Sequence, residues 1–210
     1  MDVKDFLSKF LQFGIDKGYF QQRKVKDLPK VCCLQSEVEV IDFDKTKECI
    51  CKEIKIQSSK SCDALRILPE SERMDFIEFK GFRKFIGSNS NTNETKIKKH
   101  IEKFDLSRKI ADSEYILRTV LYTRPSTTNE EHQHYDQTEK NFIIVTDLED
   151  SIESIMLTLD FLSVASSPIE NTIKMKLREE IENIRSSELH NIKQPQLKSC
   201  KSFDTFYQEQ

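Results

Sequence analysis

The chain has 210 residues, 37% of them hydrophobic and 33% charged, with a formal net charge of -3. That length suits one domain with room for an appendage. No apolar run reaches the ~18 residues of a membrane helix, four glycines and five prolines are too few for a turn-rich all-β sandwich, and the slightly acidic total argues against a nucleic-acid coat protein.

The N-terminal stretch "MDVKDFLSKF" carries acids and no apolar core, so it reads as no secretory signal, and the cytoplasm is the expected compartment. Val3, Phe6, Leu7, Phe10 and Leu11 recur at helical spacing and predict a helix over 2–18, with Asp2 or Asp5 in its first turn and Gly18 at its stop. "EVEVIDF" (37–43) alternates and predicts a strand, "DKTK" a turn, and "ECICKEIKI" (48–56) a partner strand. "CDALRIL" (62–68) and "MDFIEFKGF" (74–82), joined by "PESER", complete an antiparallel meander. Residues 95–121 predict a long helix, or two broken near Asp105; 124–140 reads as a charged loop, and "NFIIVTDL" (141–148) as a buried strand. Helices are expected over 151–162 and 171–189, with a frayed tail beyond. The fold class is therefore α+β, a central mixed sheet with an antiparallel meander flanked by helices. Residues 1–165 form the expected core domain, and 166–210 a charged C-terminal helix and tail.

Six cysteines (32, 33, 49, 51, 62 and 200) contain no C-x-x-C pair, and the histidines do not follow them at zinc-finger spacing. They read as buried or idle thiols, the competing reading being a metal or redox site on Cys49 and Cys51. His132 and His134 read as surface residues of a polar loop. Asp150 reads as the N-cap of the helix after it, with Asp147 a further acid of the same run.

Alternation along "MDFIEFK" puts Met74, Phe76, Glu78 and Lys80 on one face of the strand and Asp75, Ile77 and Phe79 on the other. The hairpin through "PESER" then carries Asp63 to within a residue or two of Lys80. Two carboxylates and an ammonium converge at one end of a sheet. Hard oxygen ligands of this kind suit Mg²⁺. Asp63, Glu78 and the carbonyl of Phe79 could share such an ion, with Lys80 orienting a water and screening phosphate charge. "KEIK" offers the same spacing at Glu53 and Lys55, with Asp42 or Asp44 upstream. The later match is preferred because its strand is more apolar, so its polar pair needs more explanation.

An aspartate on one strand and E-x-K on the next, followed by a helix and a further strand, resembles the PD-(D/E)XK, or restriction-endonuclease-like, nucleases. The resemblance spans about residues 1–150; Cys62 stands where the pattern has proline, and the first helix has no evident core-facing glutamate. It implies a restriction-endonuclease-like fold and Mg²⁺- or Mn²⁺-dependent phosphodiester hydrolysis, with DNA expected over RNA, in a defence or repair system. It implies Asp63, Glu78 and Lys80 as catalytic residues. Arg83, Lys84, Lys98, Lys99 and Lys109, within a window of nine basic side chains, form the expected phosphate track. Lys109 and Ser113, one helical turn apart, face either the sheet end or solvent. Nucleic acid is the expected partner, with a homodimer or partner protein also compatible. The alternative is a non-catalytic binding or scaffold subunit that keeps the fold.

Overall fold

The structure, a computed structural model, describes residues 1–55, 60–88, 93–125, 127–148, 168–186 and 195–208. Helix α1 (Val3–Asp16) begins where the Asp2 carboxylate accepts the Asp5 N–H at 2.7 Å. It ends at Gly18, whose φ of 73° is the left-handed conformation glycine adopts without penalty. The buried face of α1 carries Phe6, Leu7, Phe10 and Gly14. Gly14 lies against the Phe20 ring, and a Cβ there would overlap it. Gly14→Ala should therefore lower stability by about 1–3 kcal/mol through overpacking, read as a lower denaturation midpoint with an unchanged m-value.

Six strands lie in chain order across one sheet: β1 (Gln22–Lys24), β2 (Glu39–Asp42), β3 (Ala64–Leu68), β4 (Arg73–Lys80), β5 (Glu139–Thr146) and β6 (Gln196–Ser199). The first four pair antiparallel; β5 runs parallel to β4, and β6 parallel to β5. The parallel step requires a crossover. It is supplied by α3 (Arg83–Ser88), α4 (Glu94–Glu102), α5 (Leu106–Tyr122) and α6 (Asn129–Gln137). The expected α+β class, with a mixed sheet built on an antiparallel meander, is observed.

Both faces of the sheet are covered. Met74, Phe76, Phe142 and Ile144 pack with Phe6 and Phe10 of α1 and with Ile110 and Leu117 of α5. Ile77, Phe79, Ile143 and Val145 pack on the other face with Phe203 and Tyr207 of α8 (Cys200–Gln208). Fully buried Asp75 fixes this second layer: it accepts from the Tyr207 hydroxyl at 2.7 Å and from Asn141 at 3.0 Å, and pairs with Arg73 at 3.0 Å. Among the described residues no helix is long and apolar enough to cross a membrane.

Several expectations are corrected. Of the strand expected at 48–56 and the turn at 44–47, the described residues belong to helix α2 (Phe43–Ile54) and its cap Lys55. Asp42 caps it by accepting the Lys45 N–H, and its buried residues Phe43, Thr46, Ile50 and Cys51 follow a helical, not a twofold, period. The strand before it is shorter than 37–43, and β1 takes the place beside it in the meander. The charged loop at 124–140 contains α6, opened by a reciprocal capping box between Thr128 and Glu131, so His132 and His134 are helical. The frayed tail is replaced by β6 and α8, which extend the sheet and cover it. The charged helix runs over Pro168–Ser186 as α7, displaced a few residues from 171–189. The helix expected at 151–162 and the Asp150 cap lie outside the described residues.

Candidate active site

The site is assembled where β3 begins. Asp63, the residue before β3, is held through its backbone on both sides: its N–H donates to the Ile77 carbonyl at 3.0 Å, and its carbonyl accepts the Phe43 N–H at 3.2 Å. The register pairs Ala64 with Ile77, so Asp63 falls beside Glu78, two residues from Lys80. Its Oδ2 accepts the Phe79 N–H at 2.7 Å. N–H and C=O of one strand residue project toward the same strand edge. The Phe79 carbonyl therefore points toward the edge that Asp63 occupies.

Glu78 is fully buried, yet it sits on the same face as Lys80, as alternation requires. Its Oε1 accepts Lys109 Nζ at 2.6 Å and pairs with Lys80 Nζ. Its Oε2 is buried with no hydrogen-bond partner. Lys80 Nζ also lies 4.6 Å from the centroid of the Phe104 ring, a cation–π contact that holds the side chain over the site.

Lys109 was expected on the phosphate track, facing either the sheet end or solvent; it turns inward at the sheet end, with Nζ 3.9 Å from Asp63 Oδ1 as well as on Glu78. One turn further along α5, buried Ser113 accepts the Cys62 N–H at 2.8 Å. That bond ties α5 to the entrance of β3 and fixes where Lys109 arrives. Ser113 thus holds the framework, and its burial rules out a contact with phosphate.

Asp44, in the first turn of α2, enters the sequence reading only through the competing "KEIK" match. Its Oδ1 accepts from Ser61 at 2.7 Å and pairs with Lys47 at 2.6 Å. Burial works against its ionisation, but these bonds and the nearby charges of Lys47 and Lys109 hold its carboxyl below the usual value. Glu53 and Lys55 stand at the far end of the same helix, where Glu53 accepts the Tyr19 hydroxyl, so the competing match makes no strand-borne pair.

The electrostatics of the cluster follow from its burial. Desolvation, then the charge of Glu78, pushes the Asp63 carboxyl up to about 6 from an ordinary 3.8, against the pull of Lys109, Lys80 and the Phe79 N–H. Lys109 is held above its ordinary value, because attraction to Glu78 and Asp63 outweighs the desolvation that opposes its charge. Two carboxylates and two ammoniums face one another in a partly buried space.

The exposed basic residues lie at the same end of the sheet. Arg83 and Lys84 open α3 directly after β4, and Lys98 and Lys99 lie exposed on α4. Lys98 is 3.9 Å from Glu102. The rings of Phe82, Phe85, His100 and Phe104 pack together and lock α3 against α4. His100 reports the local field: burial first, then the charges of Lys103 and Lys80, lower its pKa.

In comparisons with known proteins, no family model, curated protein or solved structure matches this chain.

Proposed function

We propose that the chain is a metal-dependent nuclease of the PD-(D/E)XK type, with Asp63, Glu78 and the Phe79 carbonyl as ligands for Mg²⁺ or Mn²⁺. The observation that carries this reading is the Glu78 carboxylate: buried within an apolar strand, with one oxygen between two ammoniums and the other without a partner. An orphaned carboxylate oxygen in a dry site costs about 1–3 kcal/mol unless something binds there. The raised pKa of Asp63 supports the same conclusion, since a carboxylate short of positive charge is one that a divalent ion would stabilise.

The residues fit the ion in kind, all being hard oxygen donors. When bound, it would polarise the phosphodiester and acidify a water. The chain's own groups do the rest. Lys80 orients the attacking water and offsets charge building on the phosphate. Lys109 holds Glu78 in place and supplies a second cation. Two carboxylates against two ammoniums make a neutral cluster, so a divalent ion would render it cationic. An entering phosphodiester, a monoanion, would then offset half of that charge, which couples ion binding to substrate binding. Exposed Arg83, Lys84, Lys98 and Lys99 provide the track that leads the backbone in. Such an enzyme would suit a defence or repair system, acting on DNA in preference to RNA.

The test is incubation of the full chain with mixed DNA and RNA and Mg²⁺. Cleavage is expected, abolished by chelation and by Lys80→Ala. For the track, Lys98→Ala/Lys99→Ala should weaken DNA binding similarly across sequences. It should also flatten the dependence of log K on log salt by about 1 for each phosphate that the variant no longer neutralises. Fluorescence anisotropy in the presence of chelator checks this.

The second reading is a non-catalytic subunit with the same fold. It is favoured by the pairing of Glu78 with both Lys80 and Lys109, which neutralises the cluster without any ion. No cleavage with any divalent metal, together with partner binding unaffected by Lys80→Ala, would establish it.

A further inference from the structure

At the carboxyl end of β4 and β5, next to the candidate active site, three of the six cysteines meet. Cys33 and Cys200, 167 residues apart, form a disulfide with a Cα–Cα separation of 5.2 Å. The Cys32 sulfur lies 3.4 Å from that of Cys200 and 3.9 Å from that of Cys33, and contacts the Val145 carbonyl at 3.5 Å. All three sulfurs fall within 4.8 Å of one another, and among the described residues this is the one such cluster of three metal-ligating side chains. Cys33 and Cys200 are therefore not idle thiols, whereas Cys49, Cys51 and Cys62 are free, and Cys49 and Cys51 belong to no such cluster among the described residues. Those two sit on α2 two residues apart, a spacing that does not share a helix face.

The cluster opens on a cleft of about 820 Å³. Lys30, Arg83, Lys84 and Lys201 line that cleft, against Asp147 and Asp204. Asp147 is already committed, accepting the Phe82 and Arg83 N–H groups at 2.7 and 3.1 Å. Cys200 is the first residue of α8, where the helix dipole favours a thiolate.

We propose that, once the Cys33–Cys200 bond is reduced, Cys32, Cys33 and Cys200 bind one thiophilic metal ion such as Zn²⁺, with a fourth position open to the cleft. Reduction consumes two electrons and two protons from a dithiol, which closes to its own disulfide; the ion then displaces the thiol protons as it binds. Three points carry the assignment. Sulfurs about 2.3 Å from a tetrahedral ion stand roughly 3.8 Å apart, close to the two separations that Cys32 already makes. Three soft ligands with no histidine select thiophilic ions over Mg²⁺. The basic lining offsets the net negative charge of an ion held by three thiolates, and the cleft supplies the entry path.

The experiment uses the full chain, reduced with a dithiol, freed of reductant without air, and titrated with Cd²⁺ as a spectroscopic probe. One equivalent is expected to produce sulfur-to-cadmium charge-transfer absorbance and to protect three thiols from alkylation. Cys32→Ser, which leaves the disulfide pair intact, should weaken binding at least ~10-fold. Cys49→Ser should leave it unchanged. Asp63→Asn, which removes a ligand of the proposed Mg²⁺ site, should also leave the cadmium signal unchanged, so the two sites fail or stand separately. A disulfide that resists the dithiol, reduced protein that takes up no Cd²⁺, or a Cys32→Ser variant that binds like the parent would each overturn the proposal.

Discussion

Replacing Asp63 with asparagine should make the protein more stable at pH 7 and abolish hydrolysis. The carboxyl titrates near 6 in the folded chain against 3.8 as an ordinary aspartate. That gap of about two pH units corresponds to about 3 kcal/mol of penalty for holding the anion at neutral pH. The sign follows from the direction of the shift. A raised folded pKa means the folded state binds the proton more tightly, so this group's contribution is fully favourable below about pH 4 and is lost as the pH rises through 6. Asparagine carries no such charge, so its advantage should reach about 2–3 kcal/mol at pH 7 and vanish below pH 4. Denaturant melts across that range check it. Activity should move the opposite way: losing a ligand worth several kcal/mol corresponds to a fall of about 10³-fold or more in turnover. Stability gained and activity lost by one substitution is the pattern of a functional carboxylate kept where folding disfavours it.

The second large effect is expected at Glu78. The side chain is fully buried and carries the pairing of both Lys80 and Lys109. Glu78→Gln keeps the volume but leaves two ammoniums facing a single remaining carboxylate, Asp63. Breaking a buried ion pair from one side costs about 3–5 kcal/mol, and that loss is expected in the unfolding free energy. Adding Lys109→Met should restore a substantial part of it, because the stranded charge is removed with its partner. A double-mutant cycle measures the difference. If Glu78→Gln alone is neutral, the carboxylate does not hold the cluster together.

The core of this site is legible in the sequence because strand geometry is simple. A twofold period assigns Glu78 and Lys80 to one face, and a hairpin of the length of "PESER" brings Asp63 alongside. Lys109 was legible only as facing the sheet end or solvent, not as a partner of Glu78. A lysine on a charged helix ordinarily points outward, and its carboxylate lies 31 residues away on another element. Tertiary contacts aim it, among them the Ser113–Cys62 and Lys60–Asp112 bonds.

Helix α2 was misread for a different reason. In "ECICKEIKI" the cysteines and isoleucines satisfy a twofold period locally, while the helical period appears only when Phe43 and Thr46 are included. Asp42, read as an acid beside a turn, is the helix cap. The C-terminal strand escaped notice because "QLKS" has no apolar run. It is a strand because β5 offers a free parallel edge, and its burial is partial at three of its four residues. The Cys33–Cys200 link spans nearly the whole chain, beyond the reach of any local spacing rule.

The most direct measurement is anomalous diffraction from crystals soaked in Mn²⁺. A single peak within coordination distance of Asp63, Glu78 and the Phe79 carbonyl, absent from Asp63→Asn crystals, is the expected result. Density showing Lys80 and Lys109 still closed on Glu78, with no ion beside it at saturating Mn²⁺, would contradict the account.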